Sequence, residues 1–457
     1  MAGLPPEPLQ VEPLRNLRFW HIWALGVGAV IGDGIFLLIG QGIATAGPSS
    51  ILAYVVAGLF QMFLMIALAE LAVGMPHAGA MDVWVRRFMG RWWGFCAGFT
   101  FALGWLIAGG SVGLAMGRIT TYFTPGLQSD GWAVFFGILF TTIFAVLNVY
   151  GSAIAARTQL YLVMALTAIM LVFGLVGIKD VNPALYSPWL PNGWSGFWAA
   201  IPLGTYAYLG AVTLTTAGSE CERPVDLARA LIWSSLTFLV LYTLAHAVVV
   251  GIVPWNEVTM DVSPFTRAAE VLFGPVGGII LNLAAWLAAA TCVHMGTLYA
   301  TSRVFWAQAR EGLLPGFFGY LHPRYRTPVW GIAFIWLVSS LLIVLGVKNP
   351  DLIYVHLSLQ LVLAWSVSWL LAVIAAVLYR ARAPQEVAAL PWRQPAYPLF
   401  PLLGVLGIAV VVYGTFVGTP QAPLYGAIWL VALYLYYRFY VQRSRGVPSR
   451  PPATAGN

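Results

Sequence analysis

Asp33 stands between two glycines in the stretch GVGAVIGDGIFLLIG, residues 26–40, with apolar sequence on both sides. An unpaired carboxylate is costly at membrane depth, and an ionisable residue there is by default a functional one. Three chemistries are open to it. It could neutralise a cationic amine, take up a proton as a coupling group, or turn away and cap backbone amides freed by a broken helix. Gly32 and Gly34 each cost a helix interior about 1 kcal/mol, so the chain is weakest where it carries the acid.

His294, in AAATCVHMGTLYATSR, is the other candidate coupling group, because histidine titrates near physiological pH. The competing reading is a neutral ring satisfied by a backbone carbonyl. Thr297, Thr301 and Ser302 follow it and supply hydroxyls that, with carbonyls of an unwound helix, could form a sodium site. Glu70 and Glu220 fall near the ends of apolar runs, where gating or structural pairing with Arg86, Arg223 or Arg303 is the natural role. Cys96, Cys221 and Cys292 have no metal-ligand spacing and read as packing residues. No zinc-protease helix, nucleophile elbow or phosphate loop is present. The expectation is therefore no enzyme, no catalytic residue, no metal and no cofactor.

The elements that must position these groups are membrane helices. The 457 residues are 60% hydrophobic and 9% charged, with mean hydropathy +0.82. A soluble domain carries about 25% charged residues. The net charge of +7 is scattered over loops, which argues against nucleic acid as a partner and fits a lipid bilayer. No small-residue cleavage pattern follows the first apolar run, so a removed signal peptide is not expected.

Twelve spans are expected, near 19–45, 50–73, 91–121, 131–149, 156–179, 196–220, 228–253, 275–310, 328–346, 351–380, 396–417 and 422–441. With the N-terminus inside, all but four of the 23 basic residues fall on the cytoplasmic side; the exceptions are Arg118, Lys179, Arg267 and Lys348. Both termini are then cytoplasmic. The expected organisation is a tail over 1–18, a core over 19–380, two further helices over 396–441 and a tail over 442–457.

Two spans carry breaks. The first is IGDGIF, Ile31 to Phe36; the second lies in GTYAYLGAVTLTTAGSE, where Gly204 and Gly210 weaken the helix and Thr213, Thr215 and Thr216 can bond freed carbonyls. Close helix packing through Gly26, Gly28, Gly32 and Gly34 is the plainer explanation of the first. Paired interruptions in corresponding positions of two halves, however, point to a transporter's binding site.

Four stretches then carry a family resemblance: GAVIGDGIF; AELAVGMPHAGAMDVWVRRFMGRWWGFCAGF (69–99); AGSECERPVDLARAL (217–231); and ATSRVFWAQAREGLLPGFFGYLHPRYRTPVWG (300–331). Together they resemble the amino acid–polyamine–organocation transporters, over about residues 15 to 440. The resemblance implies the leucine-transporter type of fold. That fold is an all-α membrane protein with two inverted five-helix repeats (about 19–179 and 196–380), broken first and sixth spans and two extra C-terminal helices. It also implies secondary transport of amino acids or organic amines across the cytoplasmic membrane by alternating access, as symport or antiport. Gly32, Asp33, Gly34 and Ile35 match positions where relatives present amides and a small polar side chain to an amino acid carboxylate. Tyr206 matches an aromatic that closes over substrate, and Tyr208 and Gly210 complete the candidate set on the second break.

The sequence departs from that pattern at Asp33, where relatives usually carry Ser, Ala or Thr. A second carboxylate about 5 Å away would be repelled by roughly 3 kcal/mol at an effective dielectric near 20. The departure points to a cationic amine or basic amino acid. The alternatives are a proton-coupled carrier of neutral amino acids, with Asp33 as the protonation site, or a sensor that binds without transporting. The relatives' occasional acid two residues after the span-six glycine is Val212 here, and the span-five lysine of some proton-coupled relatives has no counterpart. The loop YFTPGLQSDG lacks the cysteine by which some relatives hold a heavy chain, so no disulfide-linked partner is expected.

Overall fold

The computed structural model describes residues 13–32, 34–124, 126–258, 263–349 and 357–442. Asp33 lies outside the described residues, and with it the three readings of its carboxylate.

The protein is all-helical, and among the described residues the β pairing is an isolated bridge between Leu17 and Cys221. Eleven helical stretches among the described residues are long and apolar enough to cross a membrane, beside the shorter apolar helix Phe19–Val30. Their outward faces are apolar: Phe135, Leu139 and Ile143 on one helix, Leu337 and Leu341 on another, and Leu402 and Leu406 on a third are exposed. A soluble protein rarely shows apolar patches of that extent, whereas a helix in lipid requires them. Trp20, Trp194 and Trp330 are exposed near helix ends, as anchors at a membrane interface are. This is a multi-pass membrane protein.

The elements that matter for the site are α1 (Phe19–Val30), α2 (Ile39–Ala46), α3 (Ser50–Gly74), α4 (Met81–Met89), α5 (Arg91–Tyr122), α6 (Asp130–Tyr150), α7 (Ser152–Gly177), α8 (Gly193–Tyr208), α9 (Val225–Ile252), α10 (Pro264–Thr291), α11 (Thr301–Arg310), α12 (Val329–Gly346) and α13 (Leu357–Arg382). These bounds follow the hydropathy reading closely because apolar run length is a local property. One differs. Pro264 already starts the helix that was expected near 275, and the chain kinks at Gly274, where φ is +67°.

Both expected interruptions are present. α1 ends at Val30, Ile31 is extended, and helix resumes as a π-helical turn at Gly34–Leu38 before α2. α8 ends at Tyr208, and a 3₁₀ segment, Ala211–Glu220, continues the chain beyond Gly210. A third irregularity, the π-helical stretch Cys292–Ala300, joins α10 to α11. Gly210 has φ +113°, and a Cβ there would sit 2.2 Å from the Ala29 carbonyl oxygen. The two breaks therefore touch, and only glycine permits the approach.

Candidate functional site

A cavity opens where the breaks meet. It is lined by Ala29, Val30, Gly32 and Gly34 from the first broken span and by Tyr206 and Leu209 from the second. Trp105, Ala108 and Val112 of α5 and Leu361 and Trp365 of α13 complete the lining, together with Cys292, which lies against the first break. Its volume is about 30 Å³, room for roughly two waters, so a larger ligand must widen it.

The first break leaves the last carbonyls of α1 without helical partners, and neighbouring side chains take them up. The Tyr242 hydroxyl donates to the Val30 carbonyl at 3.0 Å, and Thr291 Oγ1 reaches the Ile31 carbonyl at 3.5 Å. The Cys292 thiol sits 3.6 and 3.5 Å from the carbonyl oxygens of Gly28 and Ala29. Past the second break, Thr215 and Thr216 hydroxyls donate to the Val212 and Thr213 carbonyls at 2.6 and 2.7 Å.

The candidates divide. Gly32, Gly34 and Tyr206 line the cavity, and the Tyr206 ring lies against Gly34, where a Cβ would be 2.9 Å from its Cδ1. Ile35 is buried beside them and Gly210 forms the contact between breaks. Tyr208 points elsewhere: it is wholly buried, with its ring 5.0 Å from Tyr242 and 5.6 Å from Phe238. Two residues along a helix is more than half a turn, so Tyr206 and Tyr208 cannot share one face.

His294 faces α6 and α7. Its Nδ1 accepts from Asn148 Nδ2 at 3.0 Å, which leaves Nε2 to donate to the Ala155 carbonyl at 3.1 Å, and Phe144 packs on the ring. That is the neutral, satisfied arrangement. Thr297 Oγ1 donates to the Trp105 carbonyl at 3.3 Å and Ser302 Oγ to the Tyr299 carbonyl at 2.9 Å, while Thr301 Oγ1 is buried without a hydrogen-bond partner among the described residues. The residues that follow α10's end onto the freed carbonyls are instead Thr291 and Cys292. Sequence reasoning read Cys292 as packing, and no local signal in an alanine-rich helix marks it otherwise.

On the face that holds the chain's first described residues, Glu220 pairs with Arg303 at 2.9 Å. Glu70 pairs with Arg380 at 2.5 Å and accepts from the Gln394 backbone, a partnership 310 residues apart in sequence. Arg86 bridges Asp82 and Glu311, and Arg223 holds Asp226. None of the three cysteines is in a disulfide, and among the described residues no group of His, Cys, Asp and Glu could hold a metal ion.

The sequence profile of the amino acid permease family matches residues 17–437, nearly the whole described chain and both breaks. The chain belongs to the amino acid permease family. It is 28% identical over 447 residues to the branched-chain amino acid permease BcaP of Lactococcus lactis subsp. cremoris, covering 92% of this chain and 94% of the relative. It is 24% identical to the amino-acid permease RocE of Bacillus subtilis, over 94% of this chain and 95% of the relative. The D-serine/D-alanine/glycine transporter of Escherichia coli K12 is also 24% identical, with the same coverage. The alignments run over nearly the whole of this permease and of each relative, and its cavity draws its wall from both broken spans.

Proposed function

We propose that this permease is a secondary active transporter of amino acids or related organic amines in the cytoplasmic membrane, working by alternating access. One observation carries the reading: two interrupted spans meet at Ala29 and Gly210 and flank one cavity, with residues of both in its wall. Discontinuous helices of this kind form the substrate sites of many secondary transporters. The relatives' names, all permeases or transporters of amino acids, support the same substrate class. In this reading twelve spans form two inverted repeats, 19–179 and 196–380, followed by two helices over 396–441, with both tails cytoplasmic.

Asp33 carries the counter-charge. Gly32 and Gly34, its neighbours in sequence, both line the cavity, which supports a role for the Asp33 carboxylate in receiving a substrate ammonium or a proton. The proton is favoured over sodium as coupling ion. The carbonyls of the first break, which would have to face a sodium ion, already meet Tyr242, Thr291 and Cys292. The test is uptake into proteoliposomes across a panel of amines and amino acids, with imposed pH and sodium gradients. Uptake driven by a pH gradient and indifferent to sodium is expected. Binding without translocation would make the chain a sensor instead.

A further inference from the structure

We infer that Trp105 and Trp365 form a fixed apolar floor that selects the substrate's side chain, with Trp105 the specificity-determining residue. The inference rests on the transport reading above and goes on to name what the cavity accepts.

Apart from the broken spans and Cys292, the cavity wall is built from α5 and α13: Trp105, Ala108 and Val112 with Leu361 and Trp365. Two of these five side chains contain a polar atom, and both atoms are already committed. Trp105 Nε1 donates to Thr213 Oγ1 at 2.9 Å, and Trp365 Nε1 donates to the Phe101 carbonyl at 3.0 Å. What the wall offers a ligand is ring face and alkyl surface.

The floor is also rigid. The indoles meet edge to face with centroids 5.4 Å apart, and Trp365 packs on Phe101 at 4.9 Å. Behind Trp105 a Cβ at position 296 would fall 2.3 Å from the ring, so the indole lies directly on the backbone of the π-helical stretch. Trp105 is thus held from behind by span eight and from its edge by Thr213, three residues past the second break. It cannot swing aside to admit a longer side chain without breaking the bond to Thr213.

Two consequences follow. A charged or strongly polar side chain on this wall would be buried with no partner, a cost that hydrophobic sites exploit for discrimination. A substrate should therefore place its ammonium toward the breaks and an uncharged, apolar body on the indoles. Lysine and arginine side chains are excluded by the same reasoning, although Asp33 taken alone invites them.

The experiment compares uptake by reconstituted wild-type protein, Trp105→Phe and Trp105→Ala over leucine, phenylalanine, tryptophan, lysine and glutamate. Wild type should favour leucine or phenylalanine over lysine and glutamate by at least about tenfold in kcat/KM, in line with pocket discrimination of this type. Trp105→Ala should raise the tryptophan-to-leucine ratio by about tenfold, with Trp105→Phe between. A general structural defect would lower all substrates together and leave that ratio unmoved. If Trp105→Ala does not fold, Leu361→Phe on the same wall should shift preference the other way, toward smaller side chains. Equal uptake of lysine and leucine by wild type, or ratios unchanged in folded wall variants, overturns the inference and leaves transport standing. A protein that moves no amino acid or amine overturns both.

Discussion

Arg303 Nε lies 2.9 Å from Glu220 Oε1, with both side chains almost wholly buried at 2% and 3% exposure. The Tyr299 hydroxyl donates to the other carboxylate oxygen at 2.9 Å, and the guanidinium lies over the Tyr299 ring at 3.6 Å. The Glu220 carbonyl in turn accepts from the backbone of Asn16 and Leu17, both at 3.0 Å. One residue thus ties the end of the second broken span to α11 and to the chain leading into α1.

Removing one partner of a buried pair strands the other, which costs about 3–5 kcal/mol. Arg303→Ala should lower thermal stability in detergent by that order. Arg18→Ala should cost less than about 1 kcal/mol, since the Arg18–Glu222 pair is 73% and 35% exposed. Equal effects of the two substitutions on Tm would refute this ranking.

Tyr206 covers Gly34 and lines the cavity. Tyr206→Ala should weaken substrate binding by about 1–3 kcal/mol through lost ring contact, with membrane insertion unchanged. Wild-type affinity in a folded variant removes the residue from the site.

Asp33→Asn keeps the shape and removes the charge. If the carboxylate receives a substrate ammonium, uptake of cationic amines should be abolished. If it is the proton site, exchange should survive while accumulation driven by a pH gradient is lost. Unchanged uptake, affinity and pH response would leave only the capping role, which Asn performs as well.

Asp82 on α4 is wholly buried, and neither carboxylate oxygen accepts a hydrogen bond from a described residue. Burial pushes its pKa up to about 6, against the opposing pull of Arg86; Glu311 raises it further and Arg91 lowers it. An acid with a raised pKa favours folding while protonated, so its contribution is full below about pH 4 and is lost as pH rises through 6. The stability of Asp82→Asn relative to wild type should therefore increase between pH 4 and pH 8, by about 2–3 kcal/mol. His77 works in the other direction. Burial, with Arg86 next, lowers it to about 4, so its contribution is present above pH 6.5 and lost as pH falls through 4. Tm measured across that range for Asp82→Asn and His77→Gln checks both signs, and parallel profiles for wild type and Asp82→Asn would reject the first.

Orientation is tested by labelling from each side. A cysteine at Tyr320, in the exposed loop after α11, should react from the cytoplasm. A cysteine at position 261, outside the described residues, should react from the opposite side. Labelling of position 261 only from the cytoplasm would end the twelve-span reading.

Membrane class, span bounds and both breaks are legible in the chain because each depends on neighbours in sequence. Apolar run length sets a span, and clustered glycine weakens a helix wherever it ends up packed. Gly32, Gly34 and Gly210 mark the breaks in this local way. The rest was decided by packing. Spans that are apolar all round carry no mark of which face meets the cavity, so nothing in the sequence singles out Trp105, Leu361 and Trp365, and Tyr206 and Tyr208 look equivalent. Cys292 meets the freed carbonyls only because α10 passes behind α1, and Glu70 finds Arg380 across 310 residues. Contacts between residues that far apart are properties of how the helices are assembled, and no window along the sequence contains them.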